Sequence, residues 1–134
     1  MTDALVRGEH QGLDHKGVMR ACVQEIHFCW GVSSMQDLQA AVGMWERRNF
    51  PDANMEQRGL IVCEEAGELA HVILKQVQGI RPETSTDAHM RDAIGDIAIA
   101  LMALCEAQGW SLEEIANETA CTVLARDWNQ SVLL

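Results

Sequence analysis

Apolar residues recur at every third or fourth position through most of the chain. Val18, Cys22, Ile26 and Cys29 form one such series, and Leu38, Val42 and Trp45 form another. That period belongs to helices with one face turned to a core. Residues 16–30 are expected to be a helix closed by Gly31, although Phe28-Cys29-Trp30 also suits a short extended piece. Ser34 opens the next helix, because its side-chain oxygen can cap free amides and Asp37 falls near the positive end of the dipole. This helix should stop before Phe50-Pro51, since the residue before a proline avoids helical angles. Asp52-Ala53-Asn54 offers caps for a third helix, expected over residues 55–78 and stopped by Gly79 and Pro82. Residues 79–86 then reverse the chain. A fourth helix is expected over residues 87–108, with Gly109 as its punctuation. Ser111 and Glu114 have capping-box spacing and open a fifth helix running to about residue 128. No stretch of useful length alternates with period two, and there is no internal repeat. The expected class is all-α: an antiparallel helical bundle of four main helices plus an extra N-terminal helix. Residues 1–33 are read as a polar arm with that extra helix, and residues 34–130 as the bundle domain.

Two places break the apolar pattern with acid. Ile61, Glu65, Glu68 and Val72 share helical spacing, so two carboxylates interrupt a core-facing stripe. Residues 94–105 are nearly all apolar, yet Asp96 stands among them. A buried, unpaired carboxylate costs several kcal/mol, so it needs a cation, a donor or water. Glu65 and Glu68 are three apart, which puts their β-carbons about 5–6 Å from one another on one face. Glu64 and Glu68 make a second pair at four, as do Asp92 and Asp96. Residues 69–91 are enough to finish one helix, turn and begin another, so antiparallel packing could bring the clusters together. Like charges at that range repel unless a metal neutralises them. With oxygen ligands alone the metal would be Mg²⁺ or Mn²⁺ rather than Zn²⁺. The alternative is that Glu64, Glu65 and Glu68 form a solvated face. The apolar flanks and the second acidic pair weigh against it.

Composition narrows the partners. The 134 residues suit one domain, or one subunit of an oligomer, and 48% hydrophobic content suffices for a core. A charge of −10 argues against a nucleic-acid backbone as partner but leaves a nucleotide reachable through a divalent metal. Five cysteines without a CxxC pair read as reduced thiols in a cytoplasmic protein. A zinc role for Cys22, His27 and Cys29 has poor spacing. There is no secretory apolar region and no run approaching the roughly 18 apolar residues of a membrane span, so no membrane association is expected.

Glu64-Glu65-x-x-Glu68-Leu69-Ala70 followed by Ile94-Gly95-Asp96-Ile97 resembles the MazG-like all-α nucleoside triphosphate pyrophosphohydrolases, especially their phage-like branch. Trp45-x-x-x-x-Phe50, Leu74-Lys75 and Val123-x-x-Arg126-Asp127-Trp128 extend the likeness to roughly residues 35–128. The resemblance implies a MazG-like bundle. It implies hydrolysis of an NTP or dNTP between the α and β phosphates, giving a monophosphate and pyrophosphate. It implies Glu65, Glu68 and Asp96 as ligands of Mg²⁺, or of Mn²⁺. The family's second motif half, ExxD, departs here, since Ala93 stands where its glutamate would be. Asp92 would have to supply the missing carboxylate, from about 100° around the helix. Otherwise the site holds fewer ions or is inactive. Glu65 or Glu64 would orient or deprotonate the attacking water.

Further candidates carry plainer alternatives. Lys75, two turns beyond Glu68, reaches phosphate or is a solvated lysine. Arg126 clamps phosphate or is a surface or ion-paired arginine. Trp45 and Phe50 stack on a base or are ordinary core aromatics. Asn117 reads a base edge or is a surface residue, and His71 is read as a packed or exposed histidine. Two rival functions follow. One is a non-catalytic nucleotide-binding or regulatory protein of the same fold, suggested by Ala93. The other is a carboxylate-bridged di-iron bundle, suggested by Glu68-x-x-His71 but lacking its second Glu-x-x-His. Broad apolar faces on few helices predict a homodimer or homotetramer, and the resemblance points the same way.

Overall fold

The computed structural model describes residues 30–127, with Arg20, Gln24 and His27 ahead of them. The expected extra N-terminal helix therefore falls largely outside the described residues, as does Trp128. Among the described residues the chain is all-α, with four helices, one 3-10 turn and no strand. The helices are α1 (Met35–Asn49), α2 (Met55–Gln78), α3 (Asp87–Gln108) and α4 (Leu112–Leu124), and the 3-10 turn is Pro82–Thr84. No single helix among them is long and apolar enough to cross a membrane.

Each boundary has a local cause. Ser34 accepts the Asp37 amide at 3.0 Å and starts α1. Ser33 in turn donates to Asp37 Oδ2 from its backbone amide at 3.0 Å and its hydroxyl at 2.8 Å. These bonds, those from Ser33 foremost, hold the Asp37 carboxyl below its ordinary range. A full capping box opens α2: Gln57 N donates to Asn54 Oδ1 and Asn54 N to Gln57 Oε1, both at 2.9 Å. Gly79 and Gly109 close α2 and α3 in the left-handed region at φ of 65° and 69°, where a side chain would be strained. Two expectations need correction. At Ser111 only half a box forms: its hydroxyl accepts the Glu114 amide at 3.2 Å but donates to Gln36 Oε1 at 2.9 Å, tying α4 back to α1. And α4 ends at Leu124, short of residue 128.

The main packing is α2 against α3, with α1 laid across α3. Ala93 and Ala100 are buried on one face of α3, two turns apart, and Met102, Cys105 and Val42 are buried as well. The most buried large side chain is polar. Gln39, 1% exposed, donates from Nε2 to Glu106 Oε2 at 3.0 Å and to the Trp110 carbonyl at 2.8 Å. Its Oε1 accepts the Leu112 amide at 2.8 Å. One carboxamide thus satisfies the backbone groups stranded where α3 turns into α4, a bend of 107°. Large apolar side chains stay in the open on α2, α3 and α4, including Leu60, Val77, Ile94 and Leu124.

Candidate functional site

Helix α1 carries Trp45, Glu46 and Asn49 on its last turns, and the short loop after it presents Phe50, Pro51, Asp52 and Ala53. Helix α2 contributes Gln57, Arg58, Leu60, Ile61, Glu64 and Glu65, and α3 contributes Asp96, Ile99, Ala100 and Ala103. Together they line one cavity of about 870 Å³. It is apolar along its middle, aromatic at the α1 side and acidic where α2 and α3 face each other. This is the composition of a small-molecule site: apolar walls with a few convergent polar groups.

The acidic side is under electrostatic strain. The Glu65 carboxyl is pushed above its ordinary range by burial first, then by Asp96, Glu68 and Glu64. Glu65 is half-buried, whereas Glu64, Glu68, Asp92 and Asp96 are exposed. The helical spacing read from the sequence thus does set Glu65 against Asp96 across α2 and α3. Asp92 is not among the charges that act on Glu65, and it does not line the cavity. Ala93, 5% exposed, lies in the packed interior, so a longer side chain there would have to displace the core. Among the described residues no three histidine, cysteine or acidic side chains stand close enough to enclose a metal ion. The donor chemistry fits a hard divalent cation, since it consists of carboxylate oxygens that repel one another. The carboxylates do not, however, form a closed cage.

On the aromatic side, Trp45 and Phe50 meet edge to face, with ring centroids 5.7 Å apart and planes at 71°. Both are substantially exposed, at 43% and 53%, so they are wall rather than core. Among the other candidates, Glu68, Lys75, Asn117 and Arg126 do not line the cavity. Lys75 is half-buried in the last turn of α2, and Asn117 and Arg126 are exposed. His71 is exposed.

Sequence reading passed over the pair that braces the wall. Glu46 is buried, and Arg58 reaches it with Nε at 2.7 Å from Oε1 and Nη2 at 3.0 Å from Oε2. Nη1 of the same guanidinium donates to the Ala53 carbonyl. The signal was present: Glu46 is four residues from Val42 on the core face of α1, and a buried acid there demands a cation. Three free thiols, Cys63, Cys105 and Cys121, are also placed; burial raises the Cys105 thiol above its ordinary range. Comparison with known protein families, with curated proteins and with solved structures gives no match.

Proposed function

We propose that this chain hydrolyses a nucleoside triphosphate, ribo or deoxyribo, between the α and β phosphates, releasing a monophosphate and pyrophosphate. The observation that carries the reading is a cavity bounded by Trp45 and Phe50 on one side and by Glu64, Glu65 and Asp96 on the other. An aromatic wall suits a base, and carboxylates that repel one another suit a metal-bound polyphosphate. The motif resemblance to MazG-like pyrophosphohydrolases names the same reaction.

Glu65, Asp96 and Glu68 would hold Mg²⁺ or Mn²⁺, with Asp92 as a weaker fourth candidate. When bound, such a cation neutralises the triphosphate and draws electron density from the attacked phosphorus. Glu64 or Glu65 orients the water and takes its proton. Trp45 and Phe50 hold the base, which fixes where along the cavity the phosphates fall. The cavity's one arginine, Arg58, is spent on Glu46 and Ala53, so phosphate charge must be met by the cation or by cations that do not line the cavity, for which Lys75 and Arg126 are the candidates. The exposed apolar side chains of α2, α3 and α4 favour a second copy of the chain covering them, in a cytoplasmic homodimer or homotetramer.

A second reading, nucleotide binding without turnover, is favoured by one observation. Position 93 is a buried alanine, and among the described residues no three acidic groups stand close enough to enclose a metal ion. The deciding experiment is hydrolysis of a panel of NTPs and dNTPs with Mg²⁺ or Mn²⁺, with pyrophosphate measured apart from orthophosphate. Metal-dependent pyrophosphate release that Glu68→Ala and Glu65→Gln abolish is the expected result. Nucleotide binding with no release from any member establishes the second reading instead.

A further inference from the structure

The cavity lining contains two neutral carboxamides, Asn49 and Gln57. Each has one end fixed by the backbone. Asn49 Nδ2 donates to the Trp45 carbonyl at 2.7 Å, which sets the oxygen as its other end. Gln57 Oε1 accepts the Asn54 amide at 2.9 Å within the α2 capping box, which sets the NH₂ group as its other end. Neither amide can rotate to exchange its ends without breaking that bond. Among the cavity's lining residues, the amide ends not tied to the backbone in this way are therefore an acceptor, Asn49 Oδ1, and a donor, Gln57 Nε2. These two residues flank the loop that carries Phe50, and Asn49 is tied to the backbone of Trp45 itself.

We propose that Asn49 and Gln57 are the specificity-determining residues of this cavity, reading the Watson–Crick edge of a base that stacks on Trp45. A base N–H donates to Asn49 Oδ1, and a neighbouring ring nitrogen or carbonyl oxygen accepts from Gln57 Nε2. The inference rests on the nucleotide reading above and sharpens it: the substrate is a base-selected nucleoside triphosphate, not nucleoside triphosphates in general. The physical reason is asymmetric. A base that fails to match an oriented donor or acceptor leaves that group without a partner once water is excluded, so mismatch is penalised more than a match is rewarded.

The test separates base reading from turnover. Binding of α,β-imido analogues of the ribo- and deoxyribonucleoside triphosphates is measured by calorimetry with Mg²⁺, for the wild type, Gln57→Glu and Asn49→Leu. Gln57→Glu keeps an oxygen for the Asn54 amide, replaces the free donor with an acceptor and adds one negative charge, whose cost falls on every base alike and so leaves the ranking to report the lost donor. The expected result is a wild-type preference for one base. Each variant should then lower affinity for that base by about 5- to 150-fold, the span of one good base contact. Affinity for the other bases falls less or rises, and thermal unfolding without nucleotide is unchanged for Gln57→Glu. A uniform fall across all bases, an unchanged ranking, or a wild type without base preference overturns the inference. Pyrophosphate release with an unchanged ranking overturns it while leaving the hydrolase reading intact. Base preference that depends on these residues, without any release, supports it and overturns the hydrolase reading alone.

Discussion

The guanidinium of Arg58 grips both carboxylate oxygens of Glu46 and, with its remaining nitrogen, the backbone carbonyl of Ala53. The two lie twelve positions apart, and the segment between them holds the end of α1, the loop of residues 50–54 and the start of α2. The pair therefore clamps the loop that carries Phe50 and Pro51 onto the helices that carry Trp45 and Glu65. Their side chains are 12% and 9% exposed, so neither charge has much water to fall back on.

Removing one partner should accordingly cost more than removing both. Arg58→Ala leaves Glu46 charged, buried and unpaired, and is expected to destabilise by about 3–5 kcal/mol. The double variant Glu46→Gln, Arg58→Met removes the stranded charge and should recover most of that loss. Urea unfolding of the single and double variants measures the coupling directly. Additive losses would show that the pair contributes no more than its packing.

Contact between α1 and α3 depends on a residue with no side chain. A β-carbon built on Gly43 would lie 2.1 Å from Cγ of Glu106, far inside contact distance. Glu106 cannot simply swing away, because its carboxylate accepts from Gln39 at 3.0 Å and faces Arg47 at 3.8 Å. Gly43→Ala should therefore cost about 1–3 kcal/mol, the range for overpacking. Adding Glu106→Ala should relieve part of it. Thermal unfolding of the two variants decides the point, and a stabilised Gly43→Ala would mean that Glu106 has another place to go.

The helices were legible in the sequence because each boundary is a local event. Ser34, Asn54, Gly79 and Gly109 act on backbone groups within a few residues of themselves, so a pattern read along the chain finds them. The meeting of Glu65 with Asp96 was legible for a related reason: two helices joined by a short reversal must pack antiparallel. Asn49, Gln57 and the Glu46–Arg58 clamp were not seen. Their roles depend on which end of an amide is tied down and on how a five-residue loop folds over, and neither is periodic. Ala93 shows the limit from the other side. Its difference from the family motif was plain, but only burial shows that a longer side chain at that position would displace the packed interior.

Glu65 should make stability depend on pH in an unusual direction. Its folded pKa lies above the ordinary value of 4.5, through burial first and then Asp96, Glu68 and Glu64. Between the unfolded and folded values the native state holds more of the proton, so stability falls as pH rises through that window and the loss is complete above it. Glu65→Gln should be more stable than the wild type at neutral pH, with the advantage vanishing below the unfolded value. Urea unfolding across a pH series checks the sign; an advantage that is constant with pH would assign it to packing. On the proposed function, Mg²⁺ should stabilise the wild type by about 2.7 kcal/mol at a hundredfold excess over Kd, and should do nothing for Glu65→Gln, Asp96→Asn.

The aromatic wall gives the prediction that separates a binding role from a core role most cleanly. Trp45 and Phe50 touch each other edge to face but leave about half of their surface in the open. A core aromatic cut to alanine costs about 3–5 kcal/mol of stability. Half-exposed rings should cost well under that when truncated, so Trp45→Ala and Phe50→Ala should remain folded. Stacking of a base on an aromatic ring is worth about 1–3 kcal/mol, so nucleotide affinity should fall about 5- to 150-fold in Trp45→Ala. On the proposed function this is a rise in KM with kcat less affected, because the lost contact is made equally in the ground and transition states. Steady-state kinetics and thermal unfolding on the same preparations give both numbers. A collapse in Tm with KM unaltered would return Trp45 to the core and leave the base to be held elsewhere along the cavity.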